Sequence, residues 1–224
     1  SQVELRVAAV VANEERMIEA YKNGVDLHRQ TASLVLGKPV EEITKEDRQL
    51  AKAVNFGLLY GQSAKGLVAY AKKAYGVEMD DERAREIHGR FFSAYTGLWE
   101  WHKNARKMAA EGAQSVRTVS GRVQWLPEGE EAKWPRFTSL LNTPVQGDSA
   151  DALKQAMVDL SDKLPHAASI VSTVHDELIV ECASDTAEEV KALVETAMLD
   201  AVQTMFPGVR FEVEAGVCES WAEK

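Results

Sequence analysis

The sequence predicts an α+β chain, and three observations lead there. Capped helical segments fill the middle of the chain, from about residue 25 to residue 112. Two pairs of strand-like runs follow, 116–119 with 122–126 and 170–174 with 178–181, each pair joined too tightly for anything but a hairpin. At the start, residues 1–7 alternate apolar Val3, Leu5 and Val7 with polar Gln2, Glu4 and Arg6, the period of a half-buried strand.

After that strand, residues 13–23 read as a helix closed by Gly24. Asp26-Leu27-His28 precedes a helix over about 29–36. Thr44 and Asp47 form a capping box, with Asp replacing the preferred Glu, and open the helix that carries Arg48, Lys52 and Phe56. Residues 64–75 form a helix stopped by Gly76, 79–93 an amphipathic helix with an acidic start, and 98–110 another running up to Gly112. Residues 137–164 are helical, and Pro144 kinks the stretch or starts a new turn. Residues 185–205 form a helix behind an acidic turn, and 210–216 alternate as a last strand.

At 224 residues the chain can bury a real core as one domain or two. Its 45% hydrophobic and 27% charged residues are those of a globular protein. No apolar run approaches a membrane span, and there is no secretory leader pattern. Cys182 and Cys218 lack metal-type spacing, which points to free thiols in a reducing cytoplasm. The net charge of −9 argues superficially against nucleic acid, but it is unevenly placed. Acidic residues gather at 41–42, 80–82, 128–131 and 188–189, as helix starts and solvated faces, whereas Lys45, Arg48 and Lys52 share one helix.

Two constellations carry chemistry. A helix turns about 100° per residue, so Arg48, Lys52 and Phe56 lie within about 80° on one face, with Asn55 beside them and Tyr60 one turn later, before Gly61. Two cations and a flat ring suit a nucleotide's phosphates, sugar and base; the alternative is an amphipathic helix with a basic wet side. Downstream, His175-Asp176-Glu177 joins two strands and sets two carboxylates at a hairpin tip, where they repel unless a cation lies between them. The alternative is a turn that uses Asp for its geometry, with a packing His.

The literal strings add a resemblance. R-x3-K-x3-F-x3-YG, from Arg48 to Gly61, resembles motif B, the fingers helix of family A DNA polymerases, the bacterial DNA polymerase I type. Val174-His175-Asp176-Glu177 resembles motif C of the same family, and Ser1 to Arg6 resembles motif A from its third letter. Asp26-Leu27-His28, Thr118-x2-Gly121-Arg122 and Asn142-Thr-Pro-Val-Gln146-Gly147 follow the family pattern in the right order. The resemblance covers essentially the whole chain. It implies a right-hand polymerase, with an antiparallel palm sheet plus helices and a mostly helical fingers subdomain. Residues 1–24 and 136–224 would be palm and 25–135 fingers.

The resemblance also implies roles. Asp176 and Glu177 would be catalytic metal ligands for two Mg²⁺ ions, with Mn²⁺ as an alternative. Lys52 would be catalytic and, with Arg48, Phe56, Tyr60, His28, Glu4 and Gln2, would bind the dNTP; Glu4 would exclude a 2′-hydroxyl. Asn142, Gln146, His175, Tyr60 and Arg122 would touch the DNA primer–template. For Glu4 the alternative is an ordinary exposed strand residue, and for Asn142 and Gln146 a buried polar cap. The setting would be a bacterial or viral replication machine in a cytoplasm, with no membrane partner.

Two departures stand out. The family's motif A Asp, its main metal-bridging carboxylate, is absent, so the chain alone is expected not to polymerise efficiently. A companion N-terminal chain or segment carrying the thumb and that Asp would complete the site. A split gene, an intein once seated before Ser1, and a cleaved or cloned fragment are three routes to such a chain. Second, Thr138 stands where the family has an Arg, and the neighbouring Arg136 is not given that role. The loop 127–135 is also short, and this loop and Thr138 mark a divergent member, a viral one among the alternatives. Two rival functions stay open: an inactive nucleic-acid-binding relic, and another metal-dependent nucleotidyltransferase or phosphatase built on Asp176 and Glu177.

Overall fold

The computed structural model describes residues 2–129 and 131–223. Ser1, on which the splicing alternative rests, lies outside them, as does Glu130 of the acidic cluster. Among the described residues the chain is helix-rich, with two separate two-stranded antiparallel sheets.

The first element corrects the sequence reading. Val3–Val11 is a helix, α1, and not a strand. Six alternating residues fit a strand, but Ala8-Ala9-Val10-Val11 break the alternation, and a helix can bury consecutive residues all round. Leu5, Val7, Ala8 and Ala9 are all buried, and Glu4 sits in the first turn, where the helix dipole favours an acid.

The next six helices match the sequence reading closely: α2 (Glu15–Lys22), α3 (Leu27–Leu36), α4 (Lys45–Leu59), α5 (Ala64–Tyr75), α6 (Asp81–Ala94) and α7 (Thr96–Ala110). Asp26, Ser63 and Asp80 cap α3, α5 and α6, and the Thr44–Asp47 capping box forms at the start of α4. Glu14 does double duty. Its buried carboxylate accepts from Arg16 N at the start of α2 and from Gly97 N, 2.7 Å away, at the start of α7. A Cβ on Gly97 would lie 2.8 Å from Glu14 Cα, so only glycine lets the two helices meet there.

The hairpin β1 (Ser115–Arg117) and β2 (Val123–Trp125) leads to α8 (Lys133–Asn142), a wide π turn (Thr143–Gly147) and α9 (Asp148–Ser161). Pro144 has no N–H to donate, and the backbone widens there instead of breaking. β3 (Ser169–Val174) pairs with β4 (Glu177–Glu181), and α10 (Ala187–Met205) packs on α9.

The last sequence-predicted strand is absent. Residues 210–216 keep the inward alternation of Phe211, Val213 and Ala215 but belong to neither sheet. Alternation alone does not make a strand, because a strand needs a neighbour for its backbone groups. The largest core joins α1 to α7 with Phe206 and Phe211. A smaller one, built on Leu160, Val190, Val194 and Ala197, carries the β3–β4 hairpin. No helix among the described residues is long and apolar enough to cross a membrane.

Candidate functional site

Helix α4 is buried from Ala51 to Leu59 except at Lys52 and Phe56; with Arg48 before them and Tyr60 after, these form one half-open stripe. The side of this stretch opposite the cations and rings is core. The stripe faces the start of α3. Arg48 Nε donates to Asp26 Oδ2 at 2.8 Å, while Asp26 Oδ1 caps α3 through the N–H groups of His28 and Arg29. Burial raises the Asp26 carboxyl, but the Arg48 guanidinium and the Arg29 N–H outweigh it and hold the group below the usual carboxylate range. The His28 ring lies 6.2 Å from the Phe56 ring.

Behind the stripe runs a buried chain of hydrogen bonds. Asn55 Nδ2 lies 2.9 Å from His28 Nδ1, Thr31 Oγ1 donates to Asn55 Oδ1 at 3.0 Å, and the Tyr95 hydroxyl is 2.8 Å from Thr31 Oγ1. Burial first, then the charges of Arg48 and Lys52, lower the His28 imidazole to about 4. The sequence reading placed Asn55 on the right face without a role, and gave none to Asp26, Thr31 or Tyr95.

A second group converges on Tyr60, whose hydroxyl donates to Glu4 Oε2 at 2.5 Å. Gln146 from the π turn interacts with the same hydroxyl. Burial and the Glu4 charge push the Tyr60 phenol far above its ordinary range. Glu4 is therefore engaged by the end of α4, contrary to the alternative of an ordinary exposed strand residue. Gly61 follows at φ +85, and a Cβ there would sit 2.8 Å from Phe137 Cε1.

The third group is the hairpin tip. His175 and Asp176 form a two-residue loop between the paired Val174 and Glu177, with His175 at φ +56, a conformation that usually selects glycine. Asp176 is exposed and borders a cleft of about 390 Å³ shared with Gln2, Arg6, Met198, Phe211 and Glu214. Among the described residues no three His, Cys, Asp or Glu side chains gather to hold a metal.

The remaining predicted contacts lie around the π turn. Gln146 is exposed; Asn142 is half-buried, and its Oδ1 has no hydrogen-bond partner among the described residues. Arg122 donates to Asp151 at 2.9 Å and to the Gly147 carbonyl at 3.0 Å, tying the β1–β2 hairpin to α9. Arg136 is buried and bonds the carbonyls of Ala109 and Pro127, a structural post consistent with withholding a binding role from it. Asp148, unnoticed in the sequence, is fully buried and accepts from Val119 N at 2.7 Å. Cys182 and Cys218 are free thiols.

Known proteins share the sequence and the fold of this chain. The profile of DNA polymerase family A matches residues 1–223. The chain is 44% identical to DNA polymerase I of Aquifex aeolicus over 227 aligned residues, covering all of this chain and 38% of that protein. It is 37% identical to DNA polymerase I of Pseudomonas aeruginosa, covering all of this chain and 24% of that one. The structure superposes on the POL domain of Pol1 from M. smegmatis, a complex with DNA primer-template and dNTP, with a TM-score of 0.78 and 31% identity, over 90% of this chain and 35% of that one. The chain thus spans between about a quarter and two fifths of the relatives' length.

Proposed function

The chain belongs to DNA polymerase family A, and from that premise we propose that it is the C-terminal part of a DNA-directed DNA polymerase. It would add dNTPs to a primer 3′-hydroxyl under the direction of a template. The observation that carries this reading is the Arg48–Lys52–Phe56–Tyr60 stripe, the half-open face of a helix whose stretch 51–59 is otherwise buried. Residues 25–135 would be fingers, and residues 1–24 and 136–224 palm.

In the reaction, the primer hydroxyl attacks the α-phosphate and pyrophosphate leaves. Arg48 and Lys52 hold the triphosphate, and Lys52 is placed to protonate the departing pyrophosphate. His28 donates to the phosphate chain. Phe56 packs on the sugar, and Glu4, with Gln2 beside it, limits the space at the 2′-position. Tyr60 stacks near the templating base, and rotation of α4 closes the site on a correct pair. Asn142 and Gln146 reach acceptors that every base pair presents in the minor groove, Arg122 steadies the neighbouring backbone, and His175 meets the primer terminus.

Asp176 and Glu177 would contribute to a site for two Mg²⁺ ions, or Mn²⁺, but they cannot complete it. Because no third carboxylate joins them among the described residues, we assign completion of the site to a further polymerase segment. The cleft beside Asp176, bounded by residues 211–214, supports a position for it. The setting is the bacterial cytoplasm. The same gap favours one second reading, a polymerase-like DNA-binding chain without catalysis.

Primer extension with Mg²⁺ and four dNTPs separates these, run with the chain alone and with a companion segment ending in Asp-Tyr. Extension only in the mixture upholds the two-part site. Extension in neither, with DNA binding intact, favours the inactive reading. Extension by the chain alone defeats the need for a companion.

A further inference from the structure

We propose that Asn55 is a positioning residue which, with Thr31 and Tyr95, locks His28 as the neutral tautomer with its proton on Nε2, so that the ring presents one fixed N–H donor to a nucleotide phosphate. The phosphate half of this statement rests on the proposed function; the lock rests on geometry alone.

The direction of the chain follows from counting donors. Asn55 Oδ1 accepts the Thr31 hydroxyl at 3.0 Å, so the amide's other end, Nδ2, faces His28 Nδ1 at 2.9 Å. An amide nitrogen can only donate there, so Nδ1 carries the lone pair and Nε2 the proton. Thr31 has spent its single proton on Asn55, so the Tyr95 hydroxyl donates to Thr31 across 2.8 Å. Both hydroxyl protons and one amide proton of the relay then have an acceptor. Reversing the Asn55 amide would turn every bond around and leave the Tyr95 proton without the Thr31 oxygen. Asn55, Thr31 and Tyr95 are all fully buried, so water cannot take over a broken link.

The arrangement has a chemical reason. Arg48 and Lys52 already place two positive charges near the ring, and both act against its protonation. A third cation would be repelled, whereas a neutral N–H can still donate to a phosphate oxygen. The ring has two nitrogens, and only the one turned away from Asn55 is available to a ligand. The relay decides which nitrogen carries the donor, and that is a separate matter from supplying charge.

The test is the ¹⁵N spectrum of the His28 ring in the labelled chain, assigned by its loss in His28→Gln. A protonated Nε2 and a lone-pair Nδ1 are expected. Asn55→Asp puts an acceptor where the donor was and should move the proton to Nδ1. Thr31→Val keeps the shape but frees the amide, and should give a mixed tautomer and about tenfold weaker dGTP binding; Thr31→Ser should restore both. A wild-type ring protonated on Nδ1, or Thr31→Val spectra unchanged from wild type, would overturn the lock. If the tautomer is as stated but adding dGTP leaves the Nε2 signal unmoved, the lock stands and the phosphate reading of His28 falls.

Discussion

The Tyr60 hydroxyl donates to the Glu4 carboxylate at 2.5 Å across 56 residues of chain, joining the end of α4 to the first turn of α1. The two residues come from different motifs, and this bond sets the distance between them. Anything that rotates α4 must break or carry this contact.

Tyr60→Phe is therefore expected to destabilise the chain by about 1–2 kcal/mol, since it removes a bond to a charged acceptor and strands that acceptor. Chemical denaturation measures the change. The double variant with Glu4→Gln should lose less than the sum of the two single ones. Strict additivity would mean that the pair is not coupled.

At Phe56 the expected effect is on selectivity. If Phe56 packs on the sugar as proposed, a Tyr there adds a hydroxyl beside it without changing the stripe. In the complemented polymerase, Phe56→Tyr should raise incorporation of dideoxynucleotides over deoxynucleotides by roughly tenfold, the scale of one added hydrogen bond. An unchanged chain-termination ratio on a sequencing gel would remove Phe56 from the sugar.

Asp148 predicts a pH effect of unusual sign. Burial, helped by the charge of Asp151, raises its carboxyl to about 6, against the pull of the Val119 N–H and Arg122. An acid whose folded pKa lies above its unfolded value near 3.8 costs stability when ionised. That cost is full above pH 6 and disappears as pH falls toward 4. Asp148→Asn should be the more stable protein at pH 7.5, and the difference in Tm should vanish by pH 4. A difference that is constant with pH would show that the carboxyl is not the cause.

The histidines work in the opposite direction. Burial, then Arg106, lowers His102 to about 4 while its Nε2 donates to the Leu59 carbonyl at 3.1 Å. Burial, then Arg48, does the same to His28. Both stay neutral in the folded chain while the unfolded chain takes up protons below about pH 6.5. Their stability is complete above that pH and is lost as pH falls toward 4, on the order of 1 kcal/mol per pH unit for each. In the Asp148→Asn background, where the counter-effect is absent, Tm should drop from pH 7 to pH 5. A flat profile would place a proton on the buried rings.

Much of the site was legible because its signals are local. The Thr44–Asp47 box and the fourfold spacing of Arg48, Lys52 and Phe56 are read within a few turns of one helix. The β3–β4 hairpin follows from β-branched runs and a junction with no room for another element. The errors came where a local pattern needed a distant answer. Val3, Leu5 and Val7 alternate, yet they fold as a helix because the surrounding core covers every side of α1. Residues 210–216 alternate and bury alternate side chains, yet lack a partner strand.

By itself, then, the sequence determined the extent of α4, the shared face of Arg48, Lys52 and Phe56, both hairpins and an irregularity at Pro144, all of which depend on spacing, caps and missing donors along a short stretch. Only the tertiary structure decided that α1 is helical, that Tyr60 holds Glu4 and that Asn55 holds His28, which is 27 residues away in sequence. Those bonds depend on which buried surfaces meet, and a buried amide or hydroxyl takes whatever partner packing brings within reach. No spacing rule along the chain specifies that partner.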